Sequence, residues 1–301
     1  MKKLIFIILI ITSILSVSCN EDHDNVYEVK LTMGIEGGIF KSSSEIYEID
    51  DVTTNVTVDS EEKVINVGNC KINAKLMEER TYKNSGKQYI YQSNDGNIRY
   101  GLSETSDSFY IAAQNDVNLS EYDEDNLTEE KLINHVKSYI DKYIGKDDIA
   151  QYTYSCSTSV ITVNDESAWR ENKSGFYISD SKNEHIVYYN MEFIKYVNGI
   201  QTADRIEVQS DNYGNIKRFY FNKYDADWSS VAVDQTKVNE SLESFLNRNI
   251  NSEYDIVSYE IQKQYLTYMQ SKIYLSVDVE VTLNGNDNEF VVLCPLRISV
   301  D

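Results

Sequence analysis

The chain has 301 residues, 41% apolar and 26% charged, with 49 acidic against 28 basic side chains and a formal net charge of -21. Its 1 Pro and 12 Gly, set against 24 Tyr, 9 Phe and 2 Trp, exclude a low-complexity chain and supply bulky residues for a core. The negative field repels phosphate backbones, which excludes nucleic acid as an expected partner, and the length calls for about two domains at roughly 150 residues each or a set of smaller repeated units.

At the start, Lys2 and Lys3 precede an apolar run from Leu4 to Leu15, and the small residues Ser16 and Ser18 lead into Cys19. The run is too short and too quickly followed by polar residues for a membrane span, and it reads as a secretory signal over 1–18. Ser16, Val17, Ser18 and Cys19 resemble the lipobox of bacterial lipoproteins, with Leu15 one place upstream of the family's usual Leu. The resemblance implies lipidation at Cys19, a polar tether over 19–26, and a protein held on the extracytoplasmic side of the cell membrane. Loss of Lys2 and Lys3 with the signal takes the charge from -21 to -23. Attachment to the membrane is then expected from acyl chains, at about 0.8 kcal/mol per buried methylene, and not from a basic patch.

Residues 27–120 are rich in Val, Ile, Tyr and Thr in short alternating runs and read as a β-rich N-terminal domain. Asn94 to Asn97 form a turn before a strand at Ile98–Leu102. The acidic stretch Glu121–Asp125 reads as a solvated linker, and Asp123, Asp125, Glu129 and Glu130 lack the spacing of a calcium loop.

Leu132, Ile133, Val136, Ile140, Tyr143 and Ile144 recur at three- and four-residue steps and predict a helix from about Leu127 to Ile144. Asn126 with Glu129 fits a capping box and Gly145 a stop. Strands follow at Tyr152–Val163, Ile186–Val197, Arg205–Gln209 and Ile216–Phe221, with Asn198–Gly199 as a two-residue turn. Along Ile186–Val197 the odd positions are apolar except Lys195.

The order then repeats. Asp234 caps a helix at Gln235–Asn249, and three alternating strands follow, the last two separated by a turn at Asn284–Gly285. Pro295 cannot donate to a ladder and places the final strand at an edge or a bulge. The expected fold class is α+β, with two helix-plus-antiparallel-meander units, 121–230 and 231–301, after the N-terminal domain.

Val197 to Ile200, then Ile206, Val208, Asp211, Gly214 and Ile216, resemble PepSY-like repeats of secreted and lipid-anchored bacterial proteins and peptidase propeptides. The family implies a non-catalytic binding or peptidase-restraining module and brings no catalytic residues with it.

The usual catalytic groups are sparse. His23, His135 and His185 have no partner at metal-ligand spacing, and no GxSxG, HExxH or phosphate-binding Gly loop occurs. Cys70, Cys156 and Cys294 form no CxxC pair and read as buried free thiols, with one disulfide among them left open. Tyr188, Tyr196, Tyr220, Tyr268 and Tyr274 fall on strands, where exposed rings bind peptide or glycan and buried ones build the sheet. The expectation is a binding module without cofactor, metal or catalytic residues, for basic peptides or envelope proteins; the alternative is a carboxylate-dependent secreted hydrolase.

Overall fold

The computed structural model describes residues 27–300 apart from 34, 36–37, 42–43, 45–51, 57–60, 84–85, 163–168, 179–183, 270 and 286–287. The expected signal segment and tether, with Cys19 and His23, lie outside the described residues. No helix among those described is long and apolar enough to cross a membrane.

The N-terminal third is a meander. After β1 (Val29–Leu31) come β2 (Val52–Val56), β3 (Glu62–Val67), β4 (Cys70–Tyr82), β5 (Gly86–Ser93), β6 (Ile98–Ser103) and β7 (Phe109–Ala113). The long β4 pairs β3 along its first half and β2 along its second, while β5 takes its other edge. Two helices follow, α1 (Glu129–Ile144) and the short α2 (Lys146–Ile149), then β8 (Tyr152–Thr162), β9 (Trp169–Ser174), β10 (Glu184–Val197), β11 (Ile200–Asp211) and β12 (Ile216–Asn222). The chain ends with α3 (Gln235–Asn249), β13 (Asp255–Met269), β14 (Lys272–Gly285) and β15 (Asn288–Ser299).

The expected division into helix-plus-meander α+β units is overturned. The described residues form one continuous sheet of 15 strands, with helices as short additions to it. The reason is pairing between segments distant in sequence. β12 is bonded to β7, with Phe219 opposite Ile111 and Phe221 opposite Phe109, and β11 adds a short parallel ladder to β13 at Gln201 and Thr202. The edges that separate units would leave bare are thereby paired, which removes open donors and acceptors.

Each long helix covers one apolar face of this sheet. Leu132, Val136, Tyr139, Ile140 and Ile144 of α1 pack with Met191 and Phe193 of β10, Ile206 and Val208 of β11, and Phe219 and Phe221 of β12. Gly68, at φ +53°, allows the β3–β4 turn to pass under the end of α1: a Cβ there would lie 2.2 Å from the Tyr143 carbonyl oxygen. The same carbonyl accepts from the Asn69 N–H at 2.8 Å. Val238, Leu242, Phe245 and Leu246 of α3 pack with the inward residues of β14 and β15, including Leu275, Val277, Val279, Leu296 and Ile298.

The helix ends show which local signals hold. α3 begins and ends where expected, with the Asp234 carboxylate accepting from the N–H groups of Thr236 and Lys237. α1 begins two residues later than expected. Its cap is Thr128, whose hydroxyl accepts from the Lys131 N–H, and Asn126 is in the left-handed region at φ 58° and stands outside the helix. The turn after β14 is likewise displaced, since Asn284 and Gly285 are still paired, with Glu289 and Asn288.

Candidate functional site

The β14–β15 hairpin is a direct product of alternation. Leu275, Val277, Val279, Val281 and Leu283 stand opposite Ile298, Leu296, Cys294, Val292 and Phe290, so the apolar set of both strands faces α3. The intervening residues face away, and along β15 these are Glu289, Val291, Leu293 and Pro295. Val291 and Leu293 are each 57% exposed.

β15 is flanked on its other side by β1, which pairs only with Leu296, Arg297 and Ile298. From Asn288 to Cys294 that side has no ladder partner among the described residues. The Thr32 N–H donates to the Pro295 carbonyl at 2.9 Å, so the backbone of Pro295 points toward the β1 side. Backbone groups alternate sides along a strand, and those of Glu289, Val291 and Leu293 therefore point toward the open edge. Pro295 sits where its missing N–H takes no bond from the β14 ladder, which accounts for an unbroken register with no bulge.

The outward face beside this edge is acidic. Leu293 stands opposite Glu280, and Glu280 opposite Glu260 on β13, while Pro295 stands opposite Asp278, which faces Lys263 on β13. Two carboxylates directly across a sheet repel each other, and neither Glu260 nor Glu280 has an ion-pair partner among the described residues. An open edge, two exposed aliphatic side chains and uncompensated negative charge thus coincide.

Two concave regions flank the α1 end of the molecule. One, of about 590 Å³, is lined by Lys137, Asp141, Ile149, Tyr152, Tyr154 and Phe193. The other, of about 390 Å³, has Asn69, Asp107, Tyr143, Asp148 and Lys223 among its lining residues. Asp141 lies 3.9 Å from the Lys146 ammonium, and Asp107 lies 3.8 Å from that of Lys223.

The buried carboxylate among the described residues is Asp204, 3% exposed, which sequence reading did not single out. Its Oδ1 accepts from the Tyr224 backbone N–H and its Oδ2 from the Trp228 indole, both at 2.9 Å, with the Lys195 ammonium 3.9 Å from Oδ2. Burial raises its pKa, and the two hydrogen bonds and Lys195 oppose that rise. The signal for this site was Lys195, the charge in an otherwise apolar alternation: a β-bulge between Ile194 and Tyr196 accompanies the change of face.

The remaining expected residues disperse. His135 is half-buried on α1 with its ring edge-on to Tyr122 at 5.5 Å, and burial lowers its pKa while Asp123 and Glu124 act to raise it. His185 is exposed near the start of β10 instead of preceding it. Within the acidic stretch Glu124 pairs with Lys131 at 3.3 Å, and beyond it Glu129 accepts from the Tyr154 hydroxyl at 3.4 Å. Among the described residues no group of three or more His, Cys, Asp or Glu side chains is arranged to hold a metal ion. Asp211 closes a turn, accepting from the N–H groups of Tyr213 and Asn215.

The three thiols are free. Cys294 is buried in the α3 core and burial pushes its pKa up to about 12, whereas Cys70 and Cys156 are only half-buried, which corrects the expectation of three buried thiols. The Cys70 thiol donates to the Lys142 carbonyl at 3.3 Å.

No protein-family model, curated protein or solved structure matches the chain.

Proposed function

We propose that the protein is a non-enzymatic binding module, held on the extracytoplasmic side of the membrane by lipid on Cys19, that captures basic extended segments of envelope proteins at the open edge of β15. The single observation that carries this reading is the outward backbone of Glu289, Val291 and Leu293 beside the Glu260–Glu280 pair. A peptide added there gains main-chain hydrogen bonds, and its alternate side chains lie against Val291 and Leu293. A Lys or Arg opposite Glu289 forms a cross-strand ion pair, and the acidic face adds attraction over roughly a Debye length, about 10 Å at 0.1 M salt. The PepSY-like resemblance supports a module that binds without turnover. The engagement of Asp204 by Tyr224, Trp228 and Lys195 supports binding over the carboxylate-hydrolase alternative, because that carboxylate is already committed to structure.

Val291→Pro tests the edge. The lost N–H faces outward, so the β14 ladder stays intact, yet an added strand loses a donor and meets the ring. Basic peptides titrated against the full chain should bind more weakly to this variant by at least about tenfold, as expected for loss of a hydrogen bond and its neighbours. They should also associate more slowly as salt rises. Equal affinity in the variant, equal binding of acidic peptides, or cleavage of the peptide would overturn the reading. The anchor is tested by fatty-acid labelling in cells, which Cys19→Ala should abolish along with membrane retention.

A further inference from the structure

The face of the sheet turned away from α1 gathers basic side chains in an acidic molecule, among carboxylates of its own at Glu78, Glu192 and Glu207. The sequence has 7 Arg, and Arg80, Arg99, Arg205 and Arg218 all project from this face, as the register requires. Arg99 on β6 and Arg218 on β12 each stand opposite Ala112 of β7, one on either side. That places them two strand spacings apart, about 10 Å, across a small side chain. Gln92 lies beyond Arg99 in the same row, and Gln209 and Asn190 lie beyond Arg218.

The four differ in what they touch. Arg80 is paired with Glu78 and Arg205 with Glu207, each at 2.6 Å, while Arg99 and Arg218 are exposed and have no ion-pair partner among the described residues. The adjoining row holds Gly101, Tyr110 and Tyr220 and continues to Glu207 and Glu192 at its far end. The Tyr110 ring lies over Gly101, where a Cβ would come within 2.0 Å of it, and the Tyr110 and Tyr220 rings stand 5.7 Å apart at 33°. An aromatic platform thus borders two free guanidinium groups.

We infer that this face binds an anionic polysaccharide bearing carboxylates, with Arg99 and Arg218 holding two of its carboxylates and Tyr110 and Tyr220 meeting the apolar faces of sugar rings. Guanidinium groups match carboxylates with paired N–H donors, and Tyr offers a ring and a hydroxyl together. Gln92 donates to the Gly96 carbonyl, Gln209 to Asn190 and Asn190 to Ser159, which leaves the amide oxygens of Gln92 and Gln209 to accept from sugar hydroxyls. The main chain of these central strands is already used in the ladders, so an acidic peptide lying on the face would leave its own amides to water. A polysaccharide brings no such requirement. A phosphate backbone has a charge about every 3.4 Å along each strand, which does not match a pair about 10 Å apart.

The test uses the purified full chain in affinity electrophoresis through gels containing polygalacturonate, neutral dextran or polyglutamate. Polygalacturonate should retard the protein, dextran should not, and polyglutamate should act more weakly. Arg99→Gln with Arg218→Gln should lower affinity for polygalacturonate at least about tenfold, the scale of one charge-assisted hydrogen bond, with the melting temperature held. The charge-matched pair Lys137→Gln with Lys237→Gln, on helices α1 and α3 and away from the face, should leave affinity unchanged. Absence of retardation by polygalacturonate, equal retardation by polyglutamate, or an equal loss in the lysine pair would overturn the proposal.

Discussion

The two helix-covered regions solve the same packing problem with different side chains. Under α1 the core is aromatic: Phe109 meets Phe219 edge-on with centroids 5.4 Å apart, and Tyr139 and Tyr143 close over Phe219 at 5.8 and 5.6 Å. Under α3 it is mainly aliphatic, built from Val, Leu and Ile on β14 and β15, with Phe245 and Phe40 at 6.2 Å and further rings, Tyr224, Trp228 and Tyr268 in one group and Tyr254 with Phe290 in another. The contrast follows from the sheets. Three distant segments converge under α1, and large rings span the spaces between them, whereas β13, β14 and β15 are successive strands whose alternation fills the interior without gaps. Long-range assembly in one region and local assembly in the other is the difference to be tested.

The largest effect is expected from truncation in either core. Phe219→Ala and Leu242→Ala remove fully buried side chains and should cost about 3–5 and 2–5 kcal/mol respectively. The free thiols report which region opens. Among the described residues the two regions share a sheet through two residue pairs of parallel ladder between β11 and β13, so Leu242→Ala should expose Cys294 to a thiol reagent while Cys156 keeps its wild-type rate. Release of both thiols together would show that the short joint transmits unfolding. Phe219→Ala should do the reverse, speeding the reaction of Cys156 first.

What the sequence disclosed divides along the same line. Alternation along β14 and β15 and the α3 boundaries were legible because every signal was local: side-chain period, an Asp cap, a paired neighbour. The joining of β7 to β12 and of β11 to β13 was not, because no local pattern states which distant edge a strand will meet, and that pairing is what turned the expected units into one sheet. The α1 start was misread for a physical reason too. Asn126 and Thr128 are both capping residues, and the left-handed conformation of Asn126 leaves the cap to Thr128. Of the candidate edge, the position of Pro295 was legible and the short reach of β1 was not. The Arg99–Arg218 face was hidden because the two residues are 119 positions apart and meet only through β7.

A smaller effect is expected at the junction between the regions, where Asp204 of β11 holds Tyr224 and Trp228 in the connection to α3. Asp204→Asn keeps the size and one acceptor, so the Tyr224 N–H retains a partner while the Trp228 indole loses its own. An orphaned buried donor costs about 1–3 kcal/mol, and that is the expected loss. The pH dependence has a definite sign. Burial holds the folded pKa of Asp204 above its unfolded value, so the stability linked to its proton is complete below about pH 4 and is lost as pH rises through the folded value. Asn does not titrate. The advantage of the wild type over Asp204→Asn should therefore be greatest in acid and shrink toward neutrality in thermal melts taken across that range. A difference that grows with pH would mean that the indole, the backbone N–H and Lys195 stabilise the carboxylate by more than burial costs it, and the junction would then be an electrostatic clasp between the two regions.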